Sequence, residues 1–248
     1  APDLASAHNN LGATLRDLSD FEAAITAFKQ ALSLDPNLVD AEINLAATLN
    51  LAGHAAEALI LAQKAVEKAP DYAPTHNALG LIYFDSGMIE EASACFEKAC
   101  HLDSDYGEAQ GNFANCLARL NQLEDAIDHY DIALRIEPDN ADNYISLASV
   151  YSRLGDHALA KSCFNRALSL EGESSKVLTA LSNYQGITQL PWAELEHASN
   201  SWFQSIDSSS NFVHDKKDVP NETLSIGFLI DRSCVSDVSR ILEPMLWN

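Results

Sequence analysis

"VDAEINLAATLNLAGHAAEALILAQKAVEKAPDY", residues 39–72, runs straight into "APTHNALGLIYFDSGMIEEASACFEKACHLDSDY", residues 73–106. Laid one above the other, they place Leu45 over Leu79, Ala46 over Gly80, Gly53 over Gly87, Ala58 over Ala92 and Ala65 over Ala99. The correspondence extends both ways. With position 1 at Ala5, Val39, Ala73, Gly107 and Ala141, five segments of 34 residues align without an insertion. Such a period marks a stack of small units, each stable only when its neighbours cover it.

Three positions are always small. Position 8 holds Gly12, Ala46, Gly80, Ala114 and Ala148, position 20 holds Ala24, Ala58, Ala92, Ala126 and Ala160, and position 27 holds Ala31, Ala65, Ala99, Ala133 and Ala167. Large apolar residues recur beside them: Leu11, Leu45, Leu79, Phe113 and Leu147 at position 7, and Phe28, Phe96, Tyr130 and Phe164 at position 24. The pattern predicts two short helices per repeat, A and B. They cross where small residues let the backbones approach and large ones fill the space alongside. Position 15, between A and B, reads Ser19, Gly53, Gly87, Asn121 and Gly155, mostly residues that accept the left-handed conformation ending a helix. Position 32 reads Pro36, Pro70, Ser104, Pro138 and Gly172, where helix B must stop.

These residues resemble the tetratricopeptide repeat, over Ala5 to Ser174. The resemblance implies an all-α fold, a right-handed superhelix (an α-solenoid) with five repeats over residues 1–174. One departure is position 4, often Trp in the family but His8, Glu42, His76, Gln110 and Tyr144 here, which is expected to loosen one packing contact. "SSKVLTALSNYQ" still reads as a helix A, with Leu181 at position 7 and Ser182 at position 8, whereas Glu194 stands where position 20 should be small. Residues 175–206 therefore read as a degenerate sixth pair closing the C-terminal end, with Trp192, Trp202 and Phe203 as apolar cover. No comparable cap precedes Ala5, so the N-terminal face is expected to meet further repeats or to self-associate. The chain opens without Met, as a processed chain or a piece of something longer would.

The balance of 15 basic against 36 acidic residues leaves a formal charge of −21. Polyanions gain affinity by exchanging counterions for Lys and Arg, so nucleic acid and anionic membrane are disfavoured as partners. The charge serves either solubility or a basic or neutral peptide partner. No apolar run approaches a membrane span and the start lacks a signal core, which together suggest a cytoplasmic chain. Cys95, Cys100, Cys116, Cys163 and Cys234 form no CxxC pair and read as buried thiols.

In the family, helices A line the concave groove and contact extended peptides or partner helices through positions 2, 5, 6, 9, 12 and 13. Here those positions carry Asn9, Asn10, Asn44, Asn50, Asn77, Asn112, Asn115 and Ser146. Asn is a mediocre helix former, so its recurrence on one face needs a reason. Its amide offers the donor and the acceptor that match a peptide backbone. Alternatively, these amides bond neighbouring helices inside the stack. The inward basic residues are only Arg16, Arg119 and Arg153, while position 2 carries Asp40, Glu108 and Asp142, so the groove is expected to be polar to acidic. The histidines make no metal-ligand arrangement and the acid clusters fall at helix starts, where Asp caps. No catalytic residue, metal site or cofactor is indicated.

Beyond the repeats, residues 207–222 read as a polar linker and residues 223–248 as the strand and helix opening an α/β domain. "LSIGFLIDRSCVSDVSRILEPML", residues 224–246, resembles the start of the catalytic domain of O-GlcNAc transferases and SPINDLY-type relatives through Leu224, Ile226, Gly227, Phe228, Leu242, Glu243 and Pro244. This resemblance implies an alternative role as the substrate-recognition arm of a glycosyltransferase acting on Ser or Thr. The family's active-site His falls at Ser236 and its loop Asp at Arg232, with Asp231 one place early, which implies a degenerate relative or one using another base. The resemblance puts most donor-sugar contacts past Asn248, so this piece alone is expected to be inactive.

Overall fold

The computed structural model describes residues 2–171 together with residues 176, 177, 179–181 and 184. Among the described residues the regular elements are all α-helices: α1 (Pro2–Asp17), α2 (Phe21–Leu34), α3 (Val39–Leu51), α4 (Ala55–Lys68), α5 (Ala73–Asp85), α6 (Ile89–Leu102), α7 (Gly107–Arg119), α8 (Leu123–Ile136), α9 (Ala141–Leu154) and α10 (His157–Glu171). Helices α3, α5, α7 and α9 begin at position 1, and all five B helices begin at position 17. The described chain is thus an all-α helical repeat. None of its helices is long and apolar enough to cross a membrane.

Each A helix ends in the same way. Ser19, Gly53, Gly87, Asn121 and Gly155 all take positive φ, from 62° to 85°. In every repeat the next residue's N–H then bonds back five residues: Asp20 to Leu15, His54 to Leu49, Met88 to Tyr83, Gln122 to Leu117 and Asp156 to Tyr151. This closes orphan carbonyls of the last turn. A Cβ on Gly87 would meet nothing within 4 Å, so backbone conformation rather than space selects glycine there. Helix B ends because the residue before Pro is pushed out of the helical region, as at Asp35, Ala69 and Glu137. Asp103 does the same ahead of Ser104, and its Oδ1 accepts the Asp105 N–H at 3.0 Å.

Packing follows the small and large positions. The alanines at positions 20 and 27 are buried throughout, as are Phe28, Phe96, Tyr130 and Phe164. A Cβ on Gly12 would lie 2.6 Å from the Phe28 ring, and one on Gly80 would lie 2.7 Å from the Phe96 ring. Leu45, Leu79, Phe113 and Leu147 are buried between successive pairs, whereas the equivalent Leu11 is 49% exposed.

Position 4 does not simply lose a contact. Glu42 is buried, with Oε2 2.8 Å from the Lys68 ammonium and Oε1 3.4 Å from that of Lys64. The Lys68 ammonium also donates to the Pro36 carbonyl at 2.7 Å, tying α3, α4 and the preceding turn together. Buried Gln110 donates to the Ser104 carbonyl and accepts from His129. These two polar substitutes for the family's Trp bring their own partners, which is what burial requires.

Residues 176, 177, 179–181 and 184 are helical. Val177 and Tyr184 are buried; the Tyr184 ring lies 5.1 Å from that of Phe164 and its hydroxyl donates to the His157 carbonyl. The rest of the expected sixth pair, the linker at 207–222, and the strand and helix expected over 223–248, with Asp231, Arg232 and Ser236, lie outside the described residues.

Candidate functional site

Successive A helices touch one another as well as their own B partners, so α1, α3, α5, α7 and α9 form one continuous face. Polar side chains bridge this face, and four of the bonds join residues one period plus one apart. Asn44 Nδ2 donates to Asn9 Oδ1 at 3.0 Å, Asn112 Nδ2 to Asn77 Oδ1 at 3.0 Å, and Asn50 Nδ2 to Asp85 Oδ2 at 2.6 Å. Arg153 Nη1 donates to the Ala118 carbonyl at 2.6 Å in the same register.

Several amides offered by the sequence to a partner are engaged within the stack. Asn77 is 3% exposed; its Nδ2 donates to Tyr106 Oη at 3.1 Å and Glu108 Oε1 at 3.0 Å, while its Oδ1 accepts from Asn112. Asn44 Oδ1 also accepts from Arg16 Nη1 at 3.2 Å. Asn10 is exposed and its side chain stands apart from this network.

The structure brings four expected residues together. Asn115, Ser146, Arg119 and Arg153 line an open recess of about 280 Å³ between α5, α7 and α9, with Phe84, Tyr130, Ile145 and Ser149. Tyr130 donates its hydroxyl to Asn115 Oδ1 at 2.7 Å. Burial pushes this phenol up to about 12, although Ser146 pulls it down, so it stays an O–H and leaves the Asn115 Nδ2 amide as the group still able to donate. The Arg119 guanidinium stacks 4.5 Å from the Phe84 ring centre. Arg153 Nη2 donates to Asn121 Oδ1 at 2.9 Å. That bond gives Asn121 a reason to occupy a left-handed turn position that glycine fills in three other repeats.

Within a groove expected to be polar to acidic, the recess gathers two guanidinium groups at one place. At position 2, Asp40 accepts from the Tyr72 hydroxyl, Glu108 accepts from Asn77, and Asp142 pairs with Lys176. The acids are partnered, while the recess presents guanidinium groups. Ser149 and Phe84 were missed as individual residues, yet they occupy positions 9 and 12, the same groove positions as Asn115 and Asn50.

A second recess of about 230 Å³ lies among α6, α7 and α8, lined by Glu97, Phe113, Leu117, Asp125, Asp128 and His129. His129 Nδ1 must donate to Gln110 Oε1, at 2.7 Å, because an amide oxygen only accepts. Burial holds the His129 pKa below its usual value despite the opposing pull of Asp128, Asp125 and Glu97. The described residues contain no group of three or more metal-ligating side chains. Cys95, Cys100, Cys116 and Cys163 are free thiols, and only Cys116 is fully buried. Burial raises all four, to about 11 for Cys95 and Cys163 and about 12 for Cys100 and Cys116, so they are unreactive as nucleophiles.

Comparison with known proteins agrees with this architecture. Tetratricopeptide repeat family models match residues 5–38, 73–106 and 105–171, together more than half of the chain. The solved structure of TTC0263, a thermophilic TPR protein of Thermus thermophilus, is 23% identical with a TM-score of 0.64, covering 75% of this chain and 100% of that one. MamA is 26% identical with a TM-score of 0.53, over 66% of this chain and 96% of its own. YrrB, a TPR protein with an unusual peptide-binding site, is 19% identical with a TM-score of 0.52, over 71% of this chain and 90% of its own. No curated protein matches the chain. With five helix pairs of one period, one repeated turn geometry and these matches, the chain belongs to the tetratricopeptide repeat family.

Proposed function

We propose that the chain is a protein-interaction scaffold that holds an extended peptide or a partner helix on the face formed by the A helices, with the recess between α5, α7 and α9 as the anchor point. The observation that carries this is the convergence of Asn115, Ser146, Arg119 and Arg153 on one recess beside the aromatic face of Phe84. An aromatic surface next to a few placed polar groups is what a side-chain pocket requires. The peptide-binding site of YrrB, a protein of the same fold, supports the class of partner. In this reading the amide bridges between A helices set the spacing of the face, and the partner is gripped chiefly at the recess.

The test is peptide-display selection on the whole chain, followed by affinity measurements with two variants. Ser149→Tyr places a ring in the recess and should abolish binding of the selected peptides. Glu90→Tyr, on the first turn of α6, should leave it unchanged. The reverse pattern would place the partner on the B-helix side and overturn the proposal.

A further inference from the structure

Two guanidinium groups border one recess in a chain of formal charge −21. Acidic residues number 36 against 15 basic ones, yet among the described residues neither Arg119 nor Arg153 pairs with a carboxylate. Of the other described arginines, Arg16 lies 3.7 Å from Asp17 and Arg166 lies 3.2 Å from Asp139, while Arg135 sits on the outer helix α8, away from the recess. At the recess both are held by neutral groups instead, Arg119 by the Phe84 ring and Arg153 by the Ala118 carbonyl and Asn121 Oδ1. These contacts fix the side chains without cancelling their charge.

Between them the Tyr130 hydroxyl is committed to Asn115, and the remaining polar groups of the lining are an amide and two serine hydroxyls, of which Ser146 also faces Tyr130. The Asn115 carbonyl oxygen is already taken by the Tyr130 hydroxyl, which leaves its amide N–H groups, and Ser146 and Ser149 add hydroxyls on the same lining. An anionic acceptor placed there gains charge-assisted hydrogen bonds, whereas an ammonium would face two like charges.

We infer that the recess binds a single anionic side chain, a carboxylate or a phosphate monoester, presented by a peptide lying on the A-helix face, and so sets the peptide's register along the stack. This rests on the groove reading proposed above. The net negative charge of the chain repels polyanions at a distance, so the site suits one anionic residue in an otherwise neutral or basic segment.

The experiment uses the whole chain with inorganic phosphate and with short acetylated, amidated peptides of Ser, Ala and Lys carrying one central Glu, Gln or phosphoserine. Titrations are followed by calorimetry and by the Arg side-chain N–H resonances of Arg119 and Arg153. The Glu or the phosphoserine peptide should shift both resonances saturably and bind roughly five- to tenfold tighter than the Gln peptide. The stronger of the two identifies carboxylate or phosphate as the preferred group. Arg119→Gln should remove most of that preference, and because Arg119 makes no side-chain hydrogen bond among the described residues and loses only its stacking on Phe84, the protein should still melt cooperatively within a few degrees of the parent. Equal binding of Glu, phosphoserine and Gln peptides would overturn the anion site while leaving the groove reading intact. Failure of every peptide and of phosphate to saturate the resonances would also overturn it, and the Ser149→Tyr comparison then decides the groove reading separately.

Discussion

Gly80 and Phe96 offer a test of the packing rule that builds the stack. An added Cβ at position 80 would lie 2.7, 2.9 and 3.0 Å from three atoms of the Phe96 ring, against about 3.5–4.0 Å for relaxed carbon contacts. The ring is fully buried, so it cannot swing aside freely. Overpacking of this kind costs about 1–3 kcal/mol. Alanine in place of glycine within a helix recovers about 1 kcal/mol of propensity. Gly80→Ala should therefore destabilise the protein by about 1 kcal/mol in urea titrations followed by circular dichroism. Phe96→Ala alone should cost about 3–5 kcal/mol. In that background the clash is gone, and Gly80→Ala should now stabilise by about 1 kcal/mol. The second repeat has this combination naturally, with buried Ala46 and Ala62 in the two places. Ala114 beside Tyr130 and Ala148 beside Phe164 show that a differently placed ring accepts the methyl, so the cost belongs to the ring position of Phe96. A Gly80→Ala variant more stable than the parent protein, or one whose effect keeps its sign when Phe96 is truncated, would refute the reasoning.

Three further outcomes are expected. Ala126→Leu, at a fully buried crossing point, should cost about 1–3 kcal/mol, and thermal neutrality would place the repeat register elsewhere. Gly87→Ala should cost about 1 kcal/mol through the positive φ of 78° alone, since no neighbour would touch the new methyl, and chemical denaturation reads it directly. The pKa of His129 is held below 6.5 by burial, so the unfolded chain takes up a proton there that the folded chain resists. Its contribution to stability is complete above pH about 6.5 and is lost as pH falls below that value through the folded pKa. Melting temperatures measured between about pH 7 and 5 should therefore depend less on pH in His129→Gln than in the parent protein.

The repeat was legible because the helix crossings demand small residues at fixed positions, and all fifteen such positions obey. The turn was legible for the same kind of reason, down to Ser19 and Asn121 accepting the left-handed conformation. The partners of the groove amides were not. Sequence positions place Asn44 and Asn9 on one face, but only the offset between neighbouring helices, one period plus one, makes them meet. Glu42 stood at a position where Trp is usual, and nothing local indicated that Lys64 and Lys68 would converge on its carboxylate. The gathering of Arg119 and Arg153 at the recess was hidden by the net charge, which sums over the whole chain and says nothing of where single charges meet. The strand and helix expected over residues 223–248 lie outside the described residues.

The most direct measurement is amide hydrogen exchange across the whole chain with and without a display-selected peptide. Binding on the A-helix face predicts new protection in α7 and α9 around Asn115 and Ser146, with the outer turns of α6 and α8 unchanged. Protection confined to α6, α8 or the second recess around His129 would contradict it.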